Sequence, residues 1–427
     1  MTTTDVTHAR PETTTDPEYF LRDFRALSAI GATPGHGVDR QAATGADGQS
    51  RAWFSSLLAH YGFRIEVDGT GNVFGLLEWT PGAPYVVVGS HLDSQPLAGR
   101  FDGAYGVAAA VHAGRRIARD YAGGAVVPRY NLAIVDWFNE EGSRFAPSMM
   151  GSSVYTGKLP LDSALSTVDA RGVSVGAALS DIGYLGSGPG PVPAAYAEIH
   201  IEQGRLLEAE GATIGLVHSN WAAEKFSVTV HGEQSHTGST VIADRHDALL
   251  GAARLVVLLR EIADHFDDGV LHTSVGQLSA FPNSPVVVAR RVELTMDLRS
   301  ADEAVLAAAR TLLTEGIARI EQEILVRIEL AQSHAWGVTP YQPAGVELAR
   351  KCAEELALSV LPMFTLAGHD STNLKDIVPT VMLFVPSADG ISHNERECTN
   401  DSDSCAGVDM LTAVVERLLA GDLDGAR

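Results

Sequence analysis

The sequence predicts an α/β protein in which a helix-covered, mixed-sheet domain carries a smaller ferredoxin-like (βαββαβ) domain as an insertion. Three observations lead there. Short β-branched runs alternate with amphipathic helical stretches through the first half of the chain, the pattern of a sheet covered by helices on both faces. From Lys225 the rhythm changes to β-α-β-β-α-β, the split-βαβ layout of about a hundred residues. At 427 residues the chain is also too long for one ordinary domain. The expected divisions are a disordered tail over 1–18, a larger domain over 19–218 and 337–427, and an inserted domain over 219–336.

Taken in order, 1–18 is rich in Thr, Pro and Asp and lacks the apolar content of a packed segment. Stretches 20–29 and 47–61 read as amphipathic helices, and 63–77 alternates as a hairpin about Gly69 to Gly71. Tyr85 to Val88, bounded by Pro84 and Gly89, reads as a buried strand ahead of an Ala-rich helix over 104–119. A second buried strand over 131–136 runs into Asn139, Glu140 and Glu141, and excess Gly, Ser and Pro over 161–193 predicts short helices and loops. Alternation over 196–202 predicts a strand that delivers His200. In the insertion, strands are expected at 226–231, 270–280, 286–299 and 324–330, and helices at 243–265 and 302–320. The larger domain resumes with a helix over 344–356, a strand over 381–385 and a helix over 406–419.

Lys and Arg number 31 against 53 Asp and Glu, a formal net charge of −22, which argues against nucleic acid or an anionic membrane as a partner. The cysteines, Cys352, Cys398 and Cys405, are odd in number and lack C-x-x-C spacing, so neither a disulfide framework nor a cysteine zinc cluster is indicated. The first residues lack the basic-then-apolar pattern of a secretory signal, and no run of ~18 apolar residues occurs. A cytoplasmic protein is the expectation.

His91, Asp102, Glu141, His200 and His393 each lie just past a predicted strand or in a Gly-flanked turn of the larger domain. Ligands of open α/β sheets collect at the carboxyl ends of the strands, and imidazole and carboxylate both bind zinc-like divalent ions. A purely structural role explains such a set poorly, because strand-end ligands of this kind have no packing use. The set suits a two-metal site with one bridging carboxylate and a position open for water at each ion. Glu140, next to Glu141, points another way and is free to take a proton from that water.

The stretches GSHLDSQPLAGRFDG, FNEEGSRF, HIEQG, GEQSHTGST with DRHDAL, MDLRS, AGHDS and GISHNERE follow one another along the chain. In these the chain, from about Tyr19 to the C-terminal helix, resembles the dinuclear-metal amidohydrolase branch of the M20 peptidase family: N-carbamoyl-L-amino-acid hydrolases, allantoate amidohydrolases and β-ureidopropionases. HIEQG resembles the carbamoylases in particular, where its histidine stands at a metal position that peptidase members fill with a carboxylate. The resemblance implies hydrolysis of a linear amide or ureido C–N bond, foremost in an N-carbamoyl-L-amino acid, with allantoate or an N-acyl amino acid as the alternative. An inactive, metal-stabilised binding protein is the remote alternative, and an intact Glu140 speaks against it.

The same resemblance implies two divalent ions per chain (Zn, Mn, Co or Ni), with Asp102 bridging, His91 and His200 completing one site, and Glu141 and His393 the other. It implies that Asp93 orients His91 by a hydrogen bond and that Glu140 is the general base. His236 would donate to the developing oxyanion, while Gln203, Asn283, His369 and Arg299 would contact the substrate, Arg299 as a fork for a carboxylate. His369 and Asp370 read equally well as a helix N-cap and its neighbour. The insertion is implied to be the lid and dimerisation domain of a homodimer, with His236 able to complete the partner's site. Two departures stand out: Val286 occupies the place of a usual asparagine, and Ala98 that of a usual glycine.

Overall fold

The computed structural model describes residues 15–123 and 127–425. Those within Met1–His218, Tyr341–Met363 and Gly368–Arg427 form one compact unit, and those within Ser219–Pro340 and Phe364–Ala367 form a second. Of the tail expected over 1–18, residues 1–14 lie outside the described residues. The fold starts earlier than Tyr19, because the helix Asp16–Ser28 is closed by Glu18, whose carboxylate accepts the N–H of Thr15 at 2.7 Å and its hydroxyl at 2.8 Å.

In chain order the first strands are β1 (Arg64–Val67), β2 (Val73–Leu77), β3 (Tyr85–His91), β4 (Asn131–Trp137), β5 (Pro193–Ile201) and β6 (Ile214–Asn220). Then follow β7 (Ala222–His231), β8 (Ser235–His236), β9 (His272–Phe281), β10 (Val287–Val288), β11 (Arg291–Ser300) and β12 (Arg327–Trp336), and finally β13 (Val360–Thr365) and β14 (Thr380–Val385). The frame of the first unit is an eight-stranded sheet in the order β1-β2-β4-β3-β5-β14-β6-β13. Its centre, β4-β3-β5-β14, is parallel, while β1 with β2, β2 with β4, and β6 with β14 are antiparallel. The sheet is therefore mixed.

The central strands read as continuous apolar runs because both faces are covered. Val86, Val88, Leu132 and Ile134 face a core built with the helices Ala104–Tyr121, Asp401–Ala420 and Asp16–Ser28 through Val107, Val111, Leu411, Val415, Phe20 and Phe24. Their neighbours Val87, Ala133 and Val135 point the other way, to Phe74, Trp137 and Tyr196.

The second unit follows the order β-α-β-β-α-β, with an antiparallel sheet β12-β7-β11-β9 and the helices Ala248–Ala263 and Glu303–Ile324. Here the strands alternate, β7 burying Phe226, Val228 and Val230 against Leu255, Leu294 and Leu313. The helix expected over 243–265 starts later, at Ala248, because the carboxylate of Asp247 accepts the N–H groups of Leu249 and Leu250 at 2.9 and 3.2 Å and caps it. The strand expected over 286–299 is broken in two. Val287 and Val288 pair with His236 and Ser235, and the carbonyls of Ala289 and Arg290 are taken by the N–H groups of Ala248 and Gly232 before β11 begins. No helix among the described residues is long and apolar enough to cross a membrane.

Candidate metal centre

Parallel register gathers the candidate ligands at one end of the first unit's sheet. His91 closes β3 opposite Trp137 of β4, so Glu140 and Glu141, which follow β4 directly, emerge beside it. His200 lies near the end of β5, opposite Phe384 of β14, and His393 comes from the segment after β14. Asp102 precedes the helix Ala104–Tyr121, which follows β3. The loop that brings it back over β3 needs glycine at 103: its φ is +61° and a Cβ there would stand 2.4 Å from the His91 ring.

These side chains form two groups that could each hold a metal ion, His91–Asp102–His200 and Asp102–Glu141–His393, the candidate ligand atoms of each lying within 4.8 Å of one another. One oxygen of Asp102 serves each group. Oδ1 is 3.1 Å from His200 Nε2 and 3.5 Å from His91 Nε2, whereas Oδ2 is 3.1 Å from His393 Nε2. His393 Nε2 is also 3.3 Å from Glu141 Oε2. The first group is buried, and the second opens to solvent at His393. Glu140 is buried with Oε2 3.5 Å from His91 Nε2.

Two features fit the donor set to divalent cations. His91 Nδ1 lies 3.0 Å from the Asp93 carbonyl and His200 Nδ1 lies 2.9 Å from the Ile201 carbonyl. A carbonyl only accepts, so each Nδ1 carries a proton, which leaves Nε2, the nitrogen near Asp102, as the one that would coordinate a cation. Charge points the same way. Among the described residues, the ion-pair partners of Asp102, Glu140 and Glu141 are all histidines. Burial pushes Glu140 well above the ordinary carboxylate range, and the charges of Asp370 and Glu141 add to that. Burial pushes His91 down, but the charge of Glu140 and a hydrogen bond to Asp102 outweigh it and hold its pKa well above the usual value. His393 behaves alike and is held at about 9, burial being outweighed by Asp102 and Glu141. The cluster draws in positive charge, whether as protons or as cations.

Several expected contacts differ from the observed ones. Asp93 meets His91 through its backbone carbonyl, while its carboxylate is 3.8 Å away. That carboxylate instead accepts the backbone N–H groups of Glu140 at 3.0 Å and Glu141 at 3.3 Å, fixing the turn that splays the two glutamates. Gln203, in a left-handed conformation at φ 60°, donates to Asp102 Oδ2 at 2.9 Å and Ser392 Oγ at 3.1 Å, so its amide is engaged with the shared carboxylate. His369 is buried, with its ring 4.5 Å from that of His200 and 5.4 Å from that of Phe384. Asp370 occupies the N-cap position of the short helix Ser371–Leu374 without a side-chain cap bond. Gln95, which sequence reasoning passed over, donates to both carboxylate oxygens of Glu141, from its backbone N–H at 3.1 Å and its side chain at 3.0 Å. Its signal was its place in the GSHLDSQP stretch.

The remaining expected residues belong to the second unit. His236 is exposed, and its Nδ1 accepts the N–H groups of Gly238 and Ser239 at 2.9 and 3.2 Å. A neutral ring held this way carries its proton on Nε2, as a donor would. Arg299 turns its Nε and one terminal nitrogen to Asp297 at 2.9 Å each and gives the other to the Leu366 carbonyl at 2.8 Å. Much of the fork is thus committed within the unit. Asn283 sits in a turn at φ 55°, and Val286 is exposed.

The model of peptidase family M20/M25/M40 matches residues 87–417. The chain belongs to this family. A protein of Mycolicibacterium smegmatis named only as a hydrolase is 58% identical over 413 residues, covering 95% of this chain and 94% of its own. The N-carbamoyl-L-amino-acid amidohydrolase of Rhizobium meliloti is 35% identical over 389 residues, covering 90% and 92%. Among solved structures, an amidase of the hydantoinase/carbamoylase family from Burkholderia vietnamiensis matches with a TM-score of 0.89 at 37% identity, over 96% of this chain and 99% of that one. This M20-family chain is a hydrolase of amide C–N bonds.

Proposed function

We propose that this M20-family hydrolase cleaves N-carbamoyl-L-amino acids to the amino acid, carbon dioxide and ammonia, using two divalent ions held by His91, Asp102, His200, Glu141 and His393. The observation that carries the two-ion reading is the division of Asp102, one oxygen toward each ligand group, with Glu140 beside them, and the likeness to the N-carbamoyl-L-amino-acid amidohydrolase of Rhizobium meliloti supports the substrate. When bound, such ions polarise a carbonyl and make water a better nucleophile near neutral pH. Glu140 takes a proton from the attacking water and passes it to the leaving nitrogen as the C–N bond breaks. Its burial suits a group that must hold that proton between the two events. Asp93 keeps the Glu140 backbone in place. His236, with its proton on Nε2, donates to the developing oxyanion, and the free N–H groups of Arg299 take the substrate carboxylate. We further propose a cytoplasmic location and a homodimer formed through the second unit; sedimentation reads the oligomeric state, and a fully active monomer at working concentration would remove the dimer.

Substrate identity is tested by rates on N-carbamoyl-L-amino acids, allantoate, 3-ureidopropionate and N-acyl amino acids, with manganese, cobalt, nickel or zinc added. The highest kcat/KM should fall on an N-carbamoyl-L-amino acid. Preference for allantoate or an N-acyl amino acid would replace the substrate while leaving the site chemistry standing.

A further inference from the structure

Glu397 is 4% exposed and, among the described residues, forms no ion pair with Lys, Arg or His. A buried carboxylate without a cation is costly unless other donors satisfy it. Here the donors are two peptide groups and a hydroxyl. Oε1 accepts the backbone N–H groups of Phe101 at 2.9 Å and Asp102 at 3.0 Å, and Oε2 accepts from Ser392 Oγ at 3.1 Å. The loop is shaped around this carboxylate, since a Cβ at Gly99 would stand 2.1 Å from its carbon. Ser392 Oγ in turn lies 3.2 Å from Asp102 Oδ2 and next to His393.

We propose that Glu397 is a positioning residue that ties the loop carrying Asp102 to the segment carrying His393, and so holds the shared carboxylate in register between the two ligand groups. This rests on the two-ion reading of Asp102. Glu397 acts on the backbone of Asp102 rather than on its oxygens. Its hydrogen bonds fix where the carboxylate starts, and that of Gln203 fixes how it is turned. Reach, not charge, is therefore what the position requires.

Two substitutions separate those properties. Glu397→Gln keeps the reach and the accepting oxygen but removes the charge. Glu397→Asp keeps the charge but withdraws it by one carbon–carbon bond, about 1.5 Å, out of hydrogen-bonding range of Phe101 and Asp102. The metal-stripped full-length proteins are titrated with Zn²⁺ in competition with a chromophoric chelator, with circular dichroism as a check on folding. The Gln variant should bind within about threefold of wild type, and the Asp variant about 10- to 100-fold more weakly, as expected for lost outer-sphere support. Both ions should be affected in the Asp variant, because Asp102 serves both. Wild-type affinity in the Asp variant would overturn the proposal, as would a Gln variant as weak as the Asp variant. If the Asp variant only lowers the melting temperature of the metal-free protein and leaves Zn²⁺ affinity intact, Glu397 is a structural residue and the proposal fails. A wild-type protein that takes up no Zn²⁺ would instead remove the two-ion reading, and this role with it.

Discussion

Glu140 and Glu141 are adjacent in sequence but differently held. Glu141 is gripped by Gln95 and lies 3.3 Å from His393, whereas Glu140 Oε2 faces His91 Nε2 at 3.5 Å. The Asp93 carboxylate beneath both backbones enforces the split. Glu140→Gln should therefore keep about two ions per chain and lose at least ~100-fold in kcat, because a base acts on water without being a ligand. Metal analysis beside kinetics checks this; marked metal loss or near-normal turnover would reverse the roles of the two residues. The five candidate ligands were legible because each lies just past a strand or in a Gly-flanked turn of the larger domain. The hydrogen bond between Asp93 and His91 was legible, but not that it comes from the backbone carbonyl, because sequence cannot tell a carboxylate contact from a carbonyl contact of the same residue. Arg299 was legible as a guanidinium at a strand end, but its pairing with Asp297, two residues away on the same side of the strand, was overlooked.

At the scale of elements, the β1–β2 hairpin shows how a turn stores a pH dependence. Asp68 Oδ1 accepts the N–H groups of Thr70 and Asn72 at 2.9 Å each, and Oδ2 accepts from the Asn72 side chain at 2.7 Å. Burial nonetheless pushes its pKa up to about 6, the hydrogen bonds offsetting only part. A raised pKa means that the folded state favours the protonated form. The stabilisation is thus complete below the unfolded value near 3.8 and is lost as pH rises through about 6. Asp68→Asn should shrink the fall in stability between pH 5 and 7.5 by on the order of 1 kcal/mol, read as melting temperature against pH; an unchanged slope would contradict it. Most central strands were legible from apolar runs, but β6 and β13 were not. Gly215 interrupts β6, and the structure explains it: a Cβ there would stand 2.5 Å from Met363 Sδ and 3.0 Å from Phe384 Cβ, a packing constraint that leaves no periodic signal.

Over the whole molecule, the change in element order near Lys225 made a second unit legible. The membership of Phe364–Ala367 in that unit was not, because it depends on contacts remote in sequence, such as the hydrogen bond from Trp221 N–H to the Thr365 carbonyl at 2.9 Å. The net charge of −22 told little about the site, where a local surplus of buried carboxylates over imidazoles, rather than the total, sets the demand for cations. If Asp102 serves two ions at once, its removal should cost both. The measurement is the metal content of purified wild-type, His393→Ala and Asp102→Ala proteins after loading with Zn²⁺ and removal of excess. About two ions per chain are expected in wild type, about one in His393→Ala and close to none in Asp102→Ala. Two ions retained by Asp102→Ala, in a variant that remains folded, would contradict the two-ion role of Asp102.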